Sequence, residues 1–370
     1  METLDARALN RAALARQLLL ERSDTGVLDA VAHLGGLQAQ EPQEPFVGLW
    51  SRLRGFEPAT LDTLLLERRV VRTHLMRRTV HLVTAADALA WRERHEAMLC
   101  QRMLGVYRGD LAGVDLDELA AAGREVIAAG GEPTMAEVGK ALVSRWPDRG
   151  PRPLGEAAVA ALVPVVQVPP RGLWRTAGGA RYALLETWLG RAPAASSGTG
   201  AGPDPVGQDL VRRYLAAFGP AASADLRAWC GLAGLPDAVA AVRGELVSFR
   251  DERGRELLDL PDAPRPDPDV PAPVRFLPAF DNAVLGYDDR RRIIDDAHRG
   301  LSVAGTRFVL VDGRVAGTWT EQQGAVTVTP LRRFSRDDRA AVAEEGRALS
   351  GFLTDDDGGR PRVRVGASPR

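Results

Sequence analysis

The chain has 370 residues, a net charge of −1, 45% hydrophobic and 26% charged residues. That is enough polypeptide for two to four small domains and the balance of a globular protein. It excludes a uniformly basic nucleic-acid binder, and no apolar run is long enough to span a bilayer. Residues 6–21 repeat apolar positions at helical spacing, and 26–34, 45–54 and 59–67 are predicted as further helices. Between the second and third lies HLGGLQAQEPQEPF (33–46), with Gln38, Gln40 and Gln43 in six positions, preceded by Gly35 and Gly36. VVRTHLMRRTVHLV (70–83) reads as two strands around a turn near Met76–Arg78. Helix–helix–helix–hairpin is the layout of a winged helix.

The layout returns twice. Residues 115–129 are helical, Thr134 with Glu137 forms a capping box for a helix 135–145, and 154–166 is another apolar helix. GLWRTAGGARYALL (172–185) predicts a hairpin turning at Gly178-Gly179. The third copy starts with the helix 208–219; Ser223 caps the next, Pro236 opens another, and 245–260 offers two strands around Asp251–Arg255. In the last hundred residues, 307–320 is a strand–turn–strand about Asp312-Gly313. A strand 325–331, a helix 336–350 and a strand 361–365 follow. The predicted fold is mainly α with β hairpins (α+β). It comprises winged helix 1 (1–110), winged helix 2 (111–190), a small-residue linker (191–207), winged helix 3 (208–262) and a β-rich C-terminal domain (263–370).

Local charge departs from the total. Between Arg68 and Arg108 stand nine arginines against three acids, an excess of six positive charges. Such a block either contacts phosphates or forms a solvated face. Lys140 is the only lysine. Cys100 and Cys230 are far apart, which suggests reduced thiols and no disulfide framework or zinc site. The five histidines form no paired metal motif and no glycine-rich phosphate loop occurs, so neither metal nor nucleotide cofactor is expected. The N-terminal stretch has no signal-peptide pattern. A cytoplasmic, nucleoid-associated bacterial protein without membrane contact is the expectation.

Five stretches carry a resemblance: LGGLQAQEP, RTHLMRRTVHLV, FGPAASADLRAWCGL, LPAFDNAVLGYDDR and VDGRVAGTW. In this order, from residue 34 to 319, they resemble the winged-helix DNA glycosylases typified by AlkZ and YcaQ. Gln38-Ala39-Gln40 matches the branch with glutamine–apolar–glutamine, not the one ending in aspartate. The resemblance implies three tandem winged helices, double-stranded DNA as partner and a monomer. It also implies excision of bulky N7-alkylguanine adducts or unhooking of interstrand crosslinks, as in self-resistance to azinomycin-like genotoxins.

The residues make chemical sense of it. An amide is a poor base but can hold a water by donating and accepting at once. That suffices where the leaving group is already activated, as a cationic N7-alkylguanine is. Gln40 is expected to position the water and Gln38 to support it or contact the sugar; the plainer alternative is loop capping. Glu41 or Glu44 is the other candidate base. Glycosylases that also cut the backbone commonly use an amine; only Lys140, on an ordinary amphipathic helix, and the N-terminus offer one, so a monofunctional enzyme is predicted. His74, Arg77, Arg78, Thr79 and His81 surround the first wing as candidate DNA contacts, with structural roles as the alternative for the histidines. Asp281 and Asn282 line the cleft or cap a helix. The Asp312-Gly313-Arg314 turn probes a minor groove or is simply tight. A non-catalytic winged-helix regulator is the competing function class, because fold alone does not separate the two.

Overall fold

The computed structural model describes residues 1–193, 203–233, 235–354 and 362–367. The first third runs β1 (Thr3–Leu4), α1 (Ala6–Arg16), α2 (Val27–His33), β2 (Leu37–Gln38), α3 (Glu44–Trp50), α4 (Pro58–Leu66), β3 (Val70–His74) and β4 (Val80–Thr84). β3 and β4 form the predicted hairpin, paired from Val70↔Thr84 to His74↔Val80. Its β-branched residues, Val70, Val71, Thr73, Val80, Val83 and Thr84, favour an extended chain.

Next come α5 (Ala85–Trp91), α6 (Glu96–Tyr107), α7 (Leu116–Ala128), α8 (Met135–Leu142), α9 (Pro151–Ala157), β5 (Val165–Gln167), β6 (Tyr182–Leu184) and α10 (Leu185–Leu189). The capping box forms as expected: Thr134 accepts from the Glu137 amide, and Glu137 accepts from the Thr134 amide at 2.7 Å. The second hairpin differs from its prediction. The helix expected to reach 166 ends in a wide turn at 158–162, and Val165–Gln167 is a strand that pairs with Tyr182–Leu184. Gly178-Gly179 lies in the long connection between the strands. A short buried run such as VVQ has no periodicity to separate it from the apolar helix before it.

The third stretch contains α11 (Pro205–Phe218), α12 (Ser223–Cys230), α13 (Leu235–Val242), β7 (Val247–Asp251) and β8 (Glu256–Asp259). Here α11 starts inside the expected linker, of which 194–202 lie outside the described residues. Ser223 does not cap α12: Ala222 occupies the N-cap position, and its amide donates to Asp225 at 3.0 Å. The C-terminal part has β9 (Arg275–Leu277), α14 (Asn282–Leu285), β10 (Arg307–Val311), β11 (Arg314–Gln322), β12 (Ala325–Pro330), α15 (Arg336–Thr354) and β13 (Val363–Val365). Residue 361 of the last predicted strand lies outside the described residues.

Three sheets occur among the described residues, ordered β2-β4-β3-β5-β6, β1-β7-β8 and β13-β12-β11-β10-β9. Two departures from simple beads on a string matter for the site. The first two hairpins are joined edge to edge at Arg72↔Gln167. The N-terminal β1 pairs in parallel with β7 of the third stretch, Thr3↔Arg250. One continuous apolar core draws on residues from Ala13 to Tyr287 and is built around Trp91, Tyr214, Phe218 and Trp229. Among the described residues, no helix is long and apolar enough to cross a membrane.

Candidate active site

The glutamine segment is placed by two glycines. Gly35 and Gly36 have φ of +65° and +89°, which turn the chain sharply out of α2. A Cβ at Gly35 would come within 2.8 Å of Trp229, and one at Gly36 within 2.6 Å of Val83. Only glycine satisfies both the left-handed backbone and the close approach. The chain then enters β2, where Gln38 pairs with His81 of β4. Strand alternation turns Ala39 inward, fully buried, with Gln38 half-buried and Gln40 exposed beside it.

The Ala39 peptide is pinned at both ends. Its N–H donates to Val80 O at 2.8 Å, and its carbonyl accepts from Arg72 Nη2 at 2.7 Å. Arg72 is 1% exposed, and burial, then the Arg171 charge, pushes its guanidinium down to about 10. Its Nε and Nη1 have no partner among the described residues. Gly172, at φ +100°, lies against it, and an added Cβ would sit 2.7 Å from Arg72 Cδ and Nη1. Gly172→Ala is therefore expected to destabilise the fold by roughly 1–3 kcal/mol through strain. By displacing Arg72 it should also slow the reaction; thermal melting and a rate assay check the two effects.

Both amides of the motif are partly engaged. The Gln38 side-chain oxygen accepts from Arg77 Nη2 at 2.9 Å, and the Gln40 oxygen accepts from the Val80 amide at 3.3 Å. Gln43 is used structurally: it donates to Leu173 O at 3.0 Å and accepts from the Arg175 amide at 2.8 Å. Glu44 is only 3% exposed. It accepts from the Ala279 amide at 2.6 Å and from Arg307 Nε at 2.9 Å, with a second contact to Arg307 Nη2. Glu41, in contrast, is exposed.

Asp281 and Asn282 both reach the hollow that Gln38 lines, together with Gln17, Pro278 and Phe280. Asp281 is held there as structure. It accepts two hydrogen bonds from Arg52, at 2.8 and 2.9 Å, and caps α14 through the Ala283 amide at 2.8 Å. Asn282 accepts from Arg77 at 3.2 Å and donates to Gly36 O at 3.2 Å.

The first wing turns its polar groups inward. Arg77, expected at the turn as a DNA contact, reaches Trp229 O, Gln38 and Asn282. Burial lowers its guanidinium to about 10. Arg78 pairs with Glu156 at 3.3 Å, and the Thr79 hydroxyl donates to Met76 O at 3.2 Å. His81 is fully buried; its Nδ1–H donates to Thr79 O at 3.0 Å, while Nε2 has no partner among the described residues. Burial, then the Arg77 charge, holds its pKa well below the usual imidazole value. His74 is pushed down to about 3 by burial, then by Arg92 and Arg78. Both are neutral at pH 7, so neither attracts phosphate by charge.

The 312–314 turn lies elsewhere, packed on α1. Asp312 is bound by Arg7 at 2.7 Å and by Arg11, Arg314 Nη1 donates to Arg291 O at 2.6 Å, and a Cβ at Gly313 would meet Asn10 Oδ1 at 2.4 Å. These bonds tie the turn to the fold, while Asp312 itself is exposed. The arginine block is likewise partly interior: Arg72, Arg92 and Arg94 are buried, while Arg68, Arg69, Arg102 and Arg108 are exposed. Among the described residues, no three His, Cys, Asp or Glu side chains group as a metal site requires.

Sequence reasoning missed that Arg77 and Arg72 serve the glutamine segment from inside. A signal existed for Arg72, a charge within a β-branched run; nothing local ties Arg77 to a residue 39 positions earlier.

A sequence profile of the AlkZ-like DNA glycosylases matches residues 31–352. The chain belongs to the AlkZ-like DNA glycosylase family. As a DNA glycosylase of this family it acts on DNA. Among solved structures, the Streptomyces sahachiroi DNA glycosylase AlkZ shares the fold, with a TM-score of 0.76 over 98% of this chain and 100% of that one, at 20% identity. No curated protein matches the sequence. The similarity to AlkZ at that identity is one of fold.

Proposed function

We propose that this AlkZ-like glycosylase is a monofunctional enzyme that hydrolyses the N-glycosidic bond of bulky N7-alkylguanines and guanines tethered in interstrand crosslinks. It acts as a monomer in the nucleoid, protecting its host from azinomycin-like genotoxins. The observation that carries the reading is the size of the hollow beside Gln38. At about 10 Å³ it is far too small to take in a purine. A site that does not swallow the base suits a guanine that a tether prevents from swinging out, unlike enzymes that flip the base into a pocket.

The chemistry follows from what is available. Glu44 and Asp281 are buried in ion pairs, which leaves the amides and the exposed Glu41 at the segment. The bond from C1′ to the base breaks heterolytically and its electron pair leaves with the base, cancelling the cationic charge of the alkylated purine. Water held at Gln40 adds to C1′ and releases its proton to solvent. Preorganised dipoles aimed at the developing charge lower the barrier without reorganisation. Lys140, the only lysine, is exposed on α8, about a hundred positions from the amide segment, and the reaction as proposed uses no amine.

The test uses duplexes carrying an N7-methylguanine, a bulky N7-alkylguanine or a crosslink, with released base read by mass spectrometry and abasic sites by alkali. Gln40→Ala should retain DNA binding and lose base release by on the order of 100-fold. Gln38→Ala should lose release as well, and Glu41→Gln should retain it. Release of only the methylated base would redirect the reading to simple alkylpurines. Tight binding to undamaged DNA without any release would remove it.

A further inference from the structure

The orientation of the Gln38 amide is decided by its neighbour. A guanidinium has only donors, so the atom 2.9 Å from Arg77 Nη2 must be the carbonyl oxygen. The NH2 end of Gln38 therefore turns away from Arg77. The guanidinium is itself held in place, by Asn282 Oδ1 at 3.2 Å and by the Trp229 carbonyl near the end of α12. Asn282 is fixed in turn by its Nδ2 bond to Gly36 O at 3.2 Å. Arg77 thus gathers β2, α12 and α14 around a single side chain.

We infer that Arg77 is a positioning residue that locks Gln38 as a hydrogen-bond donor to the substrate and leaves the acceptor role to Gln40. The inference rests on the proposed function and assigns separate tasks to its two amides. A carboxylate at position 38 would satisfy Arg77 at least as well as an amide does. What the amide adds is two N–H donors. The departing purine gathers electron density as the bond breaks, and N3 on its minor-groove edge is an acceptor that such a donor can meet. Gln40 keeps the complementary capacity: its oxygen has one long bond, 3.3 Å from the Val80 amide, and a second lone pair for a water proton. Gln38 and Gln40 are therefore not interchangeable, although they are chemically identical and two residues apart.

The experiment compares the full-length parent with Gln38→Glu, Gln38→Ala, Arg77→Met, Arg77→Lys and the Gln38→Ala/Arg77→Met double variant. Single-turnover base release, duplex affinity and thermal melting are read for each. Gln38→Glu keeps the Arg77 contact and removes the donors. It should melt no lower than the parent, bind duplex, and lose the chemical step by on the order of 100-fold. Arg77→Lys should recover part of the rate that Arg77→Met loses at equal DNA affinity, which a purely structural residue would not show. The melting shifts of Gln38→Ala and Arg77→Met should fail to add in the double variant, as expected for residues in contact. Full activity of Gln38→Glu, or additive melting shifts, would overturn the proposal. If Arg77→Met does not fold, the Gln38→Glu arm decides alone. A parent that releases no base would remove the proposed function and the donor role together, whereas an active parent with an active Gln38→Glu variant removes the donor role only.

Discussion

Asp281→Ala is expected to lower stability by about 3–5 kcal/mol, the range for breaking a buried ion pair by deleting one partner. Asp281 and Arg52 are each 1% exposed in their side chains and joined through two hydrogen bonds. Deleting the carboxylate leaves Arg52 charged in the interior, where its Nε already lacks a partner among the described residues. The damage extends along two connections. Arg52 Nη2 reaches Gln17 Oε1 at 3.3 Å, and Gln17 Nε2 donates to Ala217 O at 2.7 Å, so α11 feels the loss. Asp281 also caps α14, whose first residue is Asn282, the partner of Arg77. Asp281→Asn should fall between parent and alanine variant, because it keeps a cap acceptor and loses the charge. Urea titrations of all three measure this; an alanine variant as stable as the parent would mean that Arg52 finds another anion.

Acid should destabilise the protein well above the carboxylate range. His95 is fully buried, its Nδ1–H bonded to Trp91 O at 2.8 Å, and burial pushes it from 6.5 down to about 4. His74 and His81 are depressed in the same direction. The folded chain keeps these rings neutral while the unfolded chain protonates them, so the unfolded state binds more protons at acid pH. Stability is complete above the unfolded value of 6.5, declines as pH falls through it, and levels off for each ring only below its folded value. At pH 5, His95 alone should account for a loss of about 2 kcal/mol. Melting curves at pH 7.5, 6.0 and 5.0 should show the decline, and His95→Gln should flatten part of it. A melting temperature unchanged between pH 7.5 and 5.0 would contradict the burial of these rings.

Much of this architecture was legible because local and tertiary preferences agree. The hairpin 70–84 declares itself through its density of β-branched residues on either side of a turn, and Thr134 with Glu137 declares a helix start that the structure contains. The second hairpin was misplaced because Gly178-Gly179 is a strong local turn signal. The pairing of Val165–Gln167 with Tyr182–Leu184 depends instead on a sheet edge supplied by Arg72 of another hairpin. The glutamines were visible as a cluster, and their chemistry followed from residue type. Their setting was not: Arg77 and Trp229 meet Gln38 only after distant segments pack. The arginine block shows the same limit. Formal charge counts Arg72 and Arg92 as surface, whereas the fold spends them on the carbonyls of Ala39 and Ala161.

The edge-to-edge joining of the first two hairpins bears on how such a chain can be re-engineered. β2, which carries Gln38, and β6, more than a hundred positions later, belong to one hydrogen-bonded ribbon. A chimera with a breakpoint between β4 and β5 would have to rebuild that ribbon across parental sequences, and any mismatch at Arg72↔Gln167 would fall beneath the glutamines. The stretch from Gly35 to β6 thus has to move as one piece, and it still relies on Trp229 and Asn282 of the recipient to hold Arg77. Breakpoints placed in the segment 191–204 leave every strand of that ribbon with its original neighbours.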